Sequence, residues 1–486
     1  MTHLLSELLA RTAVASLHGD PDATVTALTF DSRAVCPGSC FFALRGTQAD
    51  GHAFIPAAVA AGAAAIVCEE LPDEPAAGVT FAVVPDTHEA MADLAAAFYG
   101  DPSRELRLVG ITGTNGKTTT ATLLYELARA AGYEAGLIST VVYRIGGRTV
   151  EATHTTPDPI RLQAMMREMV DAGCAYCFME CSSHAIVQRR IRGLHFAGGI
   201  FSNITHDHLD YHKTFAEYIR AKKRFFDELP AGAFALINDD DRNGRVMVQN
   251  CAATVKSYGL RSLADYRCKI VEMHLDGMLL RIDGREVWVG LPGRFNAYNL
   301  TALYAAAVEL GFAPDEVLRI MSALKPVDGR FEVVQAPNGT TAVVDYAHTP
   351  DALENVLKTI GEIRRPGQQL VVVCGCGGDR DRTKRPEMAR IAVQYADTAV
   401  FTSDNPRSES PEAILEEMQA GVPEGARALR IVDRREAIRT AVMLAKAGDI
   451  VLVAGKGHET YQIVGSVKHP FDDRAEVRRA FAEFSK

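Results

Sequence analysis

GITGTNGKTTT, residues 110–120, decides the fold. It follows the alternating segment ELRLVG, which predicts a short strand, and it runs into TTTATLLYELARAAG, which predicts a helix. A strand, a Gly-rich turn and a helix opening with Lys117-Thr118 form a phosphate cradle. The turn residues Gly113, Thr114, Asn115 and Gly116 present backbone N–H groups to phosphate oxygens. Lys117 reaches the outer phosphates, and the hydroxyl of Thr118, followed by Thr119, is a ligand for Mg²⁺. The common form of this loop has a glycine where this chain has Ile111; its glycines are Gly110, Gly113 and Gly116, a spacing that points to a particular subfamily. A nucleotide site is expected here.

Outward from that loop, 486 residues are too many for one core, and about three domains are expected. A hydrophobic content of 47% with 23% charged residues is that of a globular chain. A net charge of −9 argues against a broad nucleic-acid surface, while small anions need only a local cluster of cations. No stretch approaches the length of a membrane span, and the N-terminal MTHLLSELLARTAVAS does not read as a secretory signal. The ten scattered cysteines suggest a reducing, cytoplasmic setting. Cys174, Cys177 and Cys181 lie in CAYCFMECSSH, a buried-strand pattern whose alternation would send Cys174 and Cys177 to opposite faces. Structural thiols are expected there rather than metal ligands.

Residues 1–105 read as a small α/β domain, with Asp31-Ser32-Arg33 and Arg45 to Gly51 at strand ends, where such sheets bind ligands. Residues 106–332 form the domain built on the phosphate loop, closing with DGRFEVV and Arg330. Within it, Glu180 ends a strand beside the loop's own strand, a position suited to Mg²⁺ or a metal-bound water. His206, His208 and His212 have spacings that allow a zinc hydrolase as the competing chemistry, although no HExxH or paired-Cys partner supports it. Residues 333–486 alternate strand and helix, which predicts a parallel, doubly wound sheet with its site at the strand C-terminal ends. Asp345, His348, Arg380, Asp404 to Arg407 and Lys456 to Glu459 fall there.

Taken together, DSR, GTNGKTT, HTTP, MECSSH, NITHDHLDYH, the AK of RAKKRF, GRFNAYN, GRFE, DYAHTPDAL, GCGGDRD, DNPR and AGKGHE resemble the Mur ligases of peptidoglycan synthesis over nearly the whole chain. The resemblance implies three α/β domains: an N-terminal one for a UDP-sugar, a central P-loop ATPase-like one and a C-terminal Rossmann-like one for an amino acid. Within the family the pattern is most similar to members that add meso-diaminopimelate to UDP-N-acetylmuramoyl-L-alanyl-D-glutamate. By that resemblance Phe30, Ser32, Thr47, Gln48 and Ala49 contact the UDP part. His154 (where the family often has Asn), Thr155, Thr156, Ser182, Gln188 and Arg190 line the muramoyl-peptide channel. Thr118 and Glu180 hold one Mg²⁺; His208 and a carbamylated Lys222 hold a second, carbamylation making the lysine an anion. Asn299, Arg330, Asp345 and His348 complete the ATP site.

The resemblance further implies transfer of the ATP γ-phosphoryl group to a D-glutamyl γ-carboxylate, then attack by an amine on the acyl phosphate, in a cytoplasmic enzyme acting as a monomer. Arg380, Asp404, Asn405, Pro406, Arg407, Gly455 and Glu459 would hold the diaminopimelate, the Arg407 guanidinium gripping its distal carboxylate through two parallel N–H bonds. The alternatives are a lysine-adding or other Mur ligase, a folylpolyglutamate synthase-like enzyme, or a P-loop kinase. A GTP switch is disfavoured for want of a guanine-reading NKxD segment.

Overall fold

The computed structural model describes every residue except Thr47, Gln48, His206 and His208, and the backbone alone of Leu209 and Asp210. Three large sheets follow one another along the chain. The first has the spatial order Ser16–His18, Thr80–Val83, Ala65–Cys68, Ser39–Phe42, Ala27–Thr29, and only its Ser16–His18 edge is antiparallel. Its main helix, Thr87–Phe98, starts where the Asp86 carboxylate accepts from the His88 and Glu89 amides, and it buries Ala90, Met91, Leu94, Ala95 and Phe98.

In the second sheet, five strands run parallel in the order Ala135–Ile138, Tyr176–Glu180, Arg107–Thr112, Phe196–Phe201, Phe234–Asn238, and continue to Thr254–Gly259. The strand that feeds the phosphate loop is thus central. Its side chains alternate between two cores, Val109 and Ile111 on one face and Leu108 on the other. Helix Lys117–Ala130 then covers the first core with Ala121, Leu124 and Ala128, at helical spacing.

Beyond Thr254–Gly259 the sheet continues into an antiparallel meander, Tyr266–His274, Gly277–Ile282 and Arg285–Val289. Its turns carry the hairpin signals Asp276-Gly277 and Asp283-Gly284.

The third sheet has the order Glu332–Gln335, Thr341–Asp345, Ile450–Ala454, Leu370–Cys374, Thr398–Phe401, Ala428–Arg430. It is parallel except for the first pair. Helices cover both faces: Val343, Val372 and Leu452 enter one core, Val344, Val371, Val373 and Val453 the other. One expectation is corrected here. DGRFEVV does not close the central unit, because its Glu332–Gln335 strand pairs with Thr341–Asp345 in this last sheet.

A second correction concerns the thiols. The strand begins only at Tyr176, so Cys174 lies outside its alternation, and Cys174, Cys177 and Cys181 share one core. Burial pushes the Cys177 and Cys181 thiols up, and neither is paired in a disulfide. Among the described residues no helix is long and apolar enough to cross a membrane.

The third sheet is anchored by an ion pair with both partners fully buried. Arg434 Nε donates to Asp473 Oδ1 at 2.8 Å and Nη2 to Oδ2 at 2.7 Å, while Nη2 also reaches the Ala454 carbonyl at 3.0 Å. Removing one partner strands a charge in a dry interior. Arg434→Met is expected to destabilise this region by about 3–5 kcal/mol, whereas removing both partners, as Arg434→Met with Asp473→Leu, costs less. Urea denaturation of the three proteins checks the order.

Candidate active site

Strand Arg107–Thr112 delivers the loop, and Gly116 caps helix Lys117–Ala130. Gly113 and Gly116 have φ of +151° and +88°, and a Cβ would lie 1.9 Å from Ser202 Oγ on the first and 2.4 Å from Asn299 Oδ1 on the second. Only glycine fits either place. The loop between them is held from the neighbouring strand end: Asn203 Oδ1 accepts from the Asn115 amide at 3.0 Å, and the Ser202 hydroxyl donates to the Asn115 carbonyl at 2.6 Å. Thr114 Oγ1 accepts from the Thr205 amide at 3.0 Å.

Lys117 Nζ folds back on its own loop, donating to the Gly113 and Thr114 carbonyls at 2.9 and 2.8 Å. Lys222, from helix Phe215–Asp227, donates to the same Gly113 carbonyl at 2.8 Å and lies 4.7 Å from the Tyr218 ring centre. Lys222 is 1% exposed. Burial, with the Lys117 charge second, holds its ammonium well below the usual lysine range, and burial lowers Lys117 as well.

Glu180 ends the strand adjacent to the loop strand, in register with Ile111. Its carboxylate accepts from the Thr140 amide at 2.7 Å and the Thr140 hydroxyl at 3.2 Å. Thr140 was missed by the sequence analysis, though its place just after strand Ala135–Ile138, beside the Glu180 strand, was a usable signal.

These groups line one cavity of about 480 Å³, together with Thr118, Thr119, Thr155, Ser182, Asn299, Arg330, Asp345 and His348. Its far wall comes from beyond the central sheet. Arg330 Nη2 donates to Thr118 Oγ1 at 3.2 Å and stacks 4.5 Å from the Tyr346 ring centre. Asp345 accepts from the Phe331 and Ala347 amides at 2.7 and 2.8 Å, fixing the linker to the third sheet. His348 Nδ1 bonds the Tyr346 carbonyl at 2.8 Å, so the proton sits on Nδ1 and Nε2 is the acceptor. Two further contacts cross the same junction, Asn115 Nδ2 to Asp351 Oδ2 at 2.7 Å and Lys384 Nζ to Asp207 Oδ1 at 2.5 Å.

Next to the cavity, Arg190 donates to the Thr156 carbonyl at 2.8 Å and to Gln188 Oε1 at 2.6 Å. The Thr156 hydroxyl in turn donates to the Glu180 backbone carbonyl at 2.7 Å, linking Arg190 to the acid's strand end. The His154 ring is exposed, with its backbone held by the Tyr143 hydroxyl. In the first sheet, Phe30 (43% exposed) and Ser32 follow strand Ala27–Thr29, and Ala49 follows its parallel neighbour Ser39–Phe42. Thr47, Gln48 and His208 lie outside the described residues. So does His206, while His212 Nε2 lies 2.8 Å from Ser183 Oγ. Among the described residues no group of three His, Cys, Asp or Glu side chains could hold a metal ion.

The third sheet gathers the remaining residues at its strand ends, apart from that cavity. Arg407 Nη1 donates to the Gly378 carbonyl at 2.9 Å, beside Arg380, whose Nη1 donates to the Asp379 carbonyl at 3.1 Å. Asn405 Nδ2 donates to Glu459 Oε2 at 2.9 Å. Asp404 Oδ2 is buried and, among the described residues, has no hydrogen-bond partner, lying 2.5 Å from where a Cβ on Gly455 would stand. DNPR and GKGHE thus lie side by side at these strand ends.

The chain matches the Mur ligase family catalytic domain over residues 24–99, the Mur ligase middle domain over 111–307 and the Mur ligase glutamate ligase domain over 329–457. It is 53% identical over 485 residues to the UDP-N-acetylmuramoyl-L-alanyl-D-glutamate–2,6-diaminopimelate ligase of Cytophaga hutchinsonii, covering 99% of this chain and 100% of that one. It is 54% identical over 480 residues to the enzyme of the same name from Parabacteroides distasonis, covering 98% and 99%. A solved structure of a ligase with that name, 35% identical, superposes with a TM-score of 0.72 over 100% of both chains.

The tight fit at the loop yields a direct test. Gly113→Ala forces either the loop or the Ser202 strand end to move, at a cost of about 1–3 kcal/mol. Titration calorimetry with an ATP analogue is expected to show at least a tenfold loss of affinity, roughly 1.4 kcal/mol, with an unchanged far-UV spectrum.

Proposed function

This chain belongs to the Mur ligase family, and from that premise we propose that it joins meso-diaminopimelate to the D-glutamyl γ-carboxylate of UDP-N-acetylmuramoyl-L-alanyl-D-glutamate, driven by ATP. Full-length likeness to two diaminopimelate ligases carries this reading. The enzyme acts in the cytoplasm as a monomer, in the synthesis of peptidoglycan precursors.

Phe30, Ser32 and Thr47 to Ala49 hold the UDP end of the acceptor. His154 to Thr156, Ser182, Gln188 and Arg190 lead its peptide toward Glu180. ATP lies on the phosphate loop, with Asn299, Arg330, Asp345 and His348 closing over it. The donors facing this cavity suit Mg²⁺: the Glu180 carboxylate and the Thr118 hydroxyl are hard oxygens. Glu180 and Thr118 would hold one Mg²⁺, and His208 with a carbamylated Lys222 a second; the ions supply neutralisation of phosphate charge. Lys117 and Arg330 add fixed positive charge where the γ-phosphoryl group moves.

The acceptor carboxylate attacks the γ-phosphorus, the bond to the β–γ bridging oxygen breaks, and ADP leaves. The acyl phosphate that results has a good leaving group, which the original carboxylate lacked. The diaminopimelate amine attacks its carbonyl carbon, the tetrahedral intermediate expels phosphate, and the amide remains after loss of a proton. Shielding the acyl phosphate from water is the task of the domain junction around Arg330 and Tyr346.

The choice of amino acid rests on Arg407. Diaminopimelate carries one more carboxylate than lysine, and that carboxylate pairs with the guanidinium, while Arg380 takes the other carboxylate and Glu459 the distal ammonium. Lysine would leave Arg407 desolvated without its partner, a penalty of roughly a hundredfold in kcat/KM. Phosphate release from ATP with the UDP-muramoyl dipeptide present is expected to depend on diaminopimelate. In competition at equal concentration lysine should be excluded by the wild type and tolerated by Arg407→Ala. Equal use of lysine by the wild type would refute the assignment.

Carbamylation of Lys222 needs a neutral amine, which adds CO₂ with loss of a proton. Burial and Lys117 lower the ammonium pKa, so the reactive amine persists below the usual lysine range and grows as pH rises. Enzyme stripped of CO₂ is expected to regain activity on adding bicarbonate, more fully at higher pH, with a carbamate signal from ¹³C-bicarbonate in the NMR spectrum. Lys222→Ala should lose most activity and regain part of it with short carboxylic acids. Indifference to bicarbonate together with no carbamate signal would reject the modification.

A further inference from the structure

The third sheet holds a lysine that none of the roles above uses. Lys456 is 0% exposed, on the turn after strand Ile450–Ala454. A fully buried ammonium is costly unless it is paired and hydrogen-bonded. Lys456 Nζ donates to Asn405 Oδ1 at 3.0 Å and to Glu459 Oε2 at 2.9 Å, with the Tyr461 ring centre 5.6 Å away.

The orientation of the Asn405 amide follows from its neighbours. The Ile463 backbone N–H can only donate, and it does so to Oδ1 at 2.9 Å; an ammonium likewise only donates, to the same oxygen. Nδ2 is thereby turned to Glu459, where it donates to Oε2 at 2.9 Å. Glu459 Oε2 thus has two donors, and among the described residues Oε1 has none. One carboxylate oxygen is fixed and the other left open.

We propose that Lys456 is a positioning residue for the incoming amino acid, locking Asn405 and Glu459 into one unit that offers Glu459 Oε1 to the substrate's distal ammonium. This rests on the function proposed above. Charge supports it. Among the groups assigned to the amino acid, Arg380, Arg407 and Lys456 outnumber Asp404 and Glu459 by one positive charge. Diaminopimelate with its attacking amine neutral carries two carboxylates and one ammonium, hence one net negative charge. Lysine in the same state carries none. Lys456 therefore favours the amino acid with the second carboxylate by its charge as well as by its hold on Glu459.

The test is steady-state kinetics on Lys456→Met, with its melting temperature as the check of folding. KM for diaminopimelate is expected to rise about tenfold or more, the range set by loss of one charge-assisted hydrogen bond. KM for ATP and for the UDP-muramoyl dipeptide should hold, and the preference for diaminopimelate over lysine should fall. Lys456→Gln, which keeps one neutral donor, should be intermediate, and it carries the test if the methionine variant does not fold. In a Glu459→Gln background Lys456→Met should add little, because it acts through Glu459. An equal rise in all three KM values, or an undiminished effect in the Glu459→Gln background, overturns the positioning role. A wild type inert toward diaminopimelate overturns the functional reading and this inference with it. A wild type that uses diaminopimelate beside a Lys456→Met enzyme with unchanged KM overturns the role of Lys456 alone.

Discussion

Two ammonium groups converge on one carbonyl oxygen. Lys117 and Lys222 both donate to Gly113, at 2.9 and 2.8 Å, beneath a loop with no room for a side chain. Like charges this close repel strongly in a low-dielectric interior, so the arrangement is stable only with one amine neutral or with anions nearby. Glu180, a bound polyphosphate and a carbamate on Lys222 are all remedies for the same excess of positive charge. The loop's suitability for phosphate and the carbamylation proposed for Lys222 would thus share an electrostatic origin.

That cavity is completed by residues from beyond the central sheet. Arg330 bonds Thr118 from the linker, Asp345 fastens that linker to the third sheet, and Asn115–Asp351 and Lys384–Asp207 tie the two units together. The wall over the phosphate loop therefore depends on how the third sheet is seated. The same sheet carries Arg407 and Glu459, so one rigid body would both close over ATP and bring in the amine. Under the proposed function, phosphoryl transfer and amine delivery would be geometrically coupled.

The phosphate loop, Glu180 and the doubly wound sheet were legible because each is a local pattern: glycines at fixed offsets, an acid at a strand end, buried strands alternating with helices. The boundary at 332–333 falls inside the strand Glu332–Gln335 because no local pattern marks that DGRFEVV pairs forward with Thr341–Asp345. The face of Cys174 was misjudged because period-2 logic was extended beyond the strand's first residue. Thr140 carries no motif of its own and matters through a partner distant in sequence, Glu180; Lys456 stands within AGKGHE, but its burial and its bond to Asn405 appear only in the fold. The meander at 266–289 was readable from its two Asp-Gly turns and was overlooked.

Among the described residues, eight other than glycine adopt positive φ, and four of them sit on or beside the proposed binding groups: Arg189 between Gln188 and Arg190, Phe331 after Arg330, Asp379 before Arg380, and Arg407 itself. Each such backbone is strained by roughly 1–2 kcal/mol. At Arg407 the strain is held by the neighbouring hairpin, whose Ile463 carbonyl accepts from the Arg407 amide and whose Gly465 amide donates to the Arg407 carbonyl. Four of these unfavourable conformations thus lie where the proposed function places its ligands. Glycine or asparagine would relax each site, so selection for thermal robustness and selection for catalysis pull these positions in opposite directions. Engineering a hardier variant should leave all four untouched and seek its gains on the helices of the outer faces.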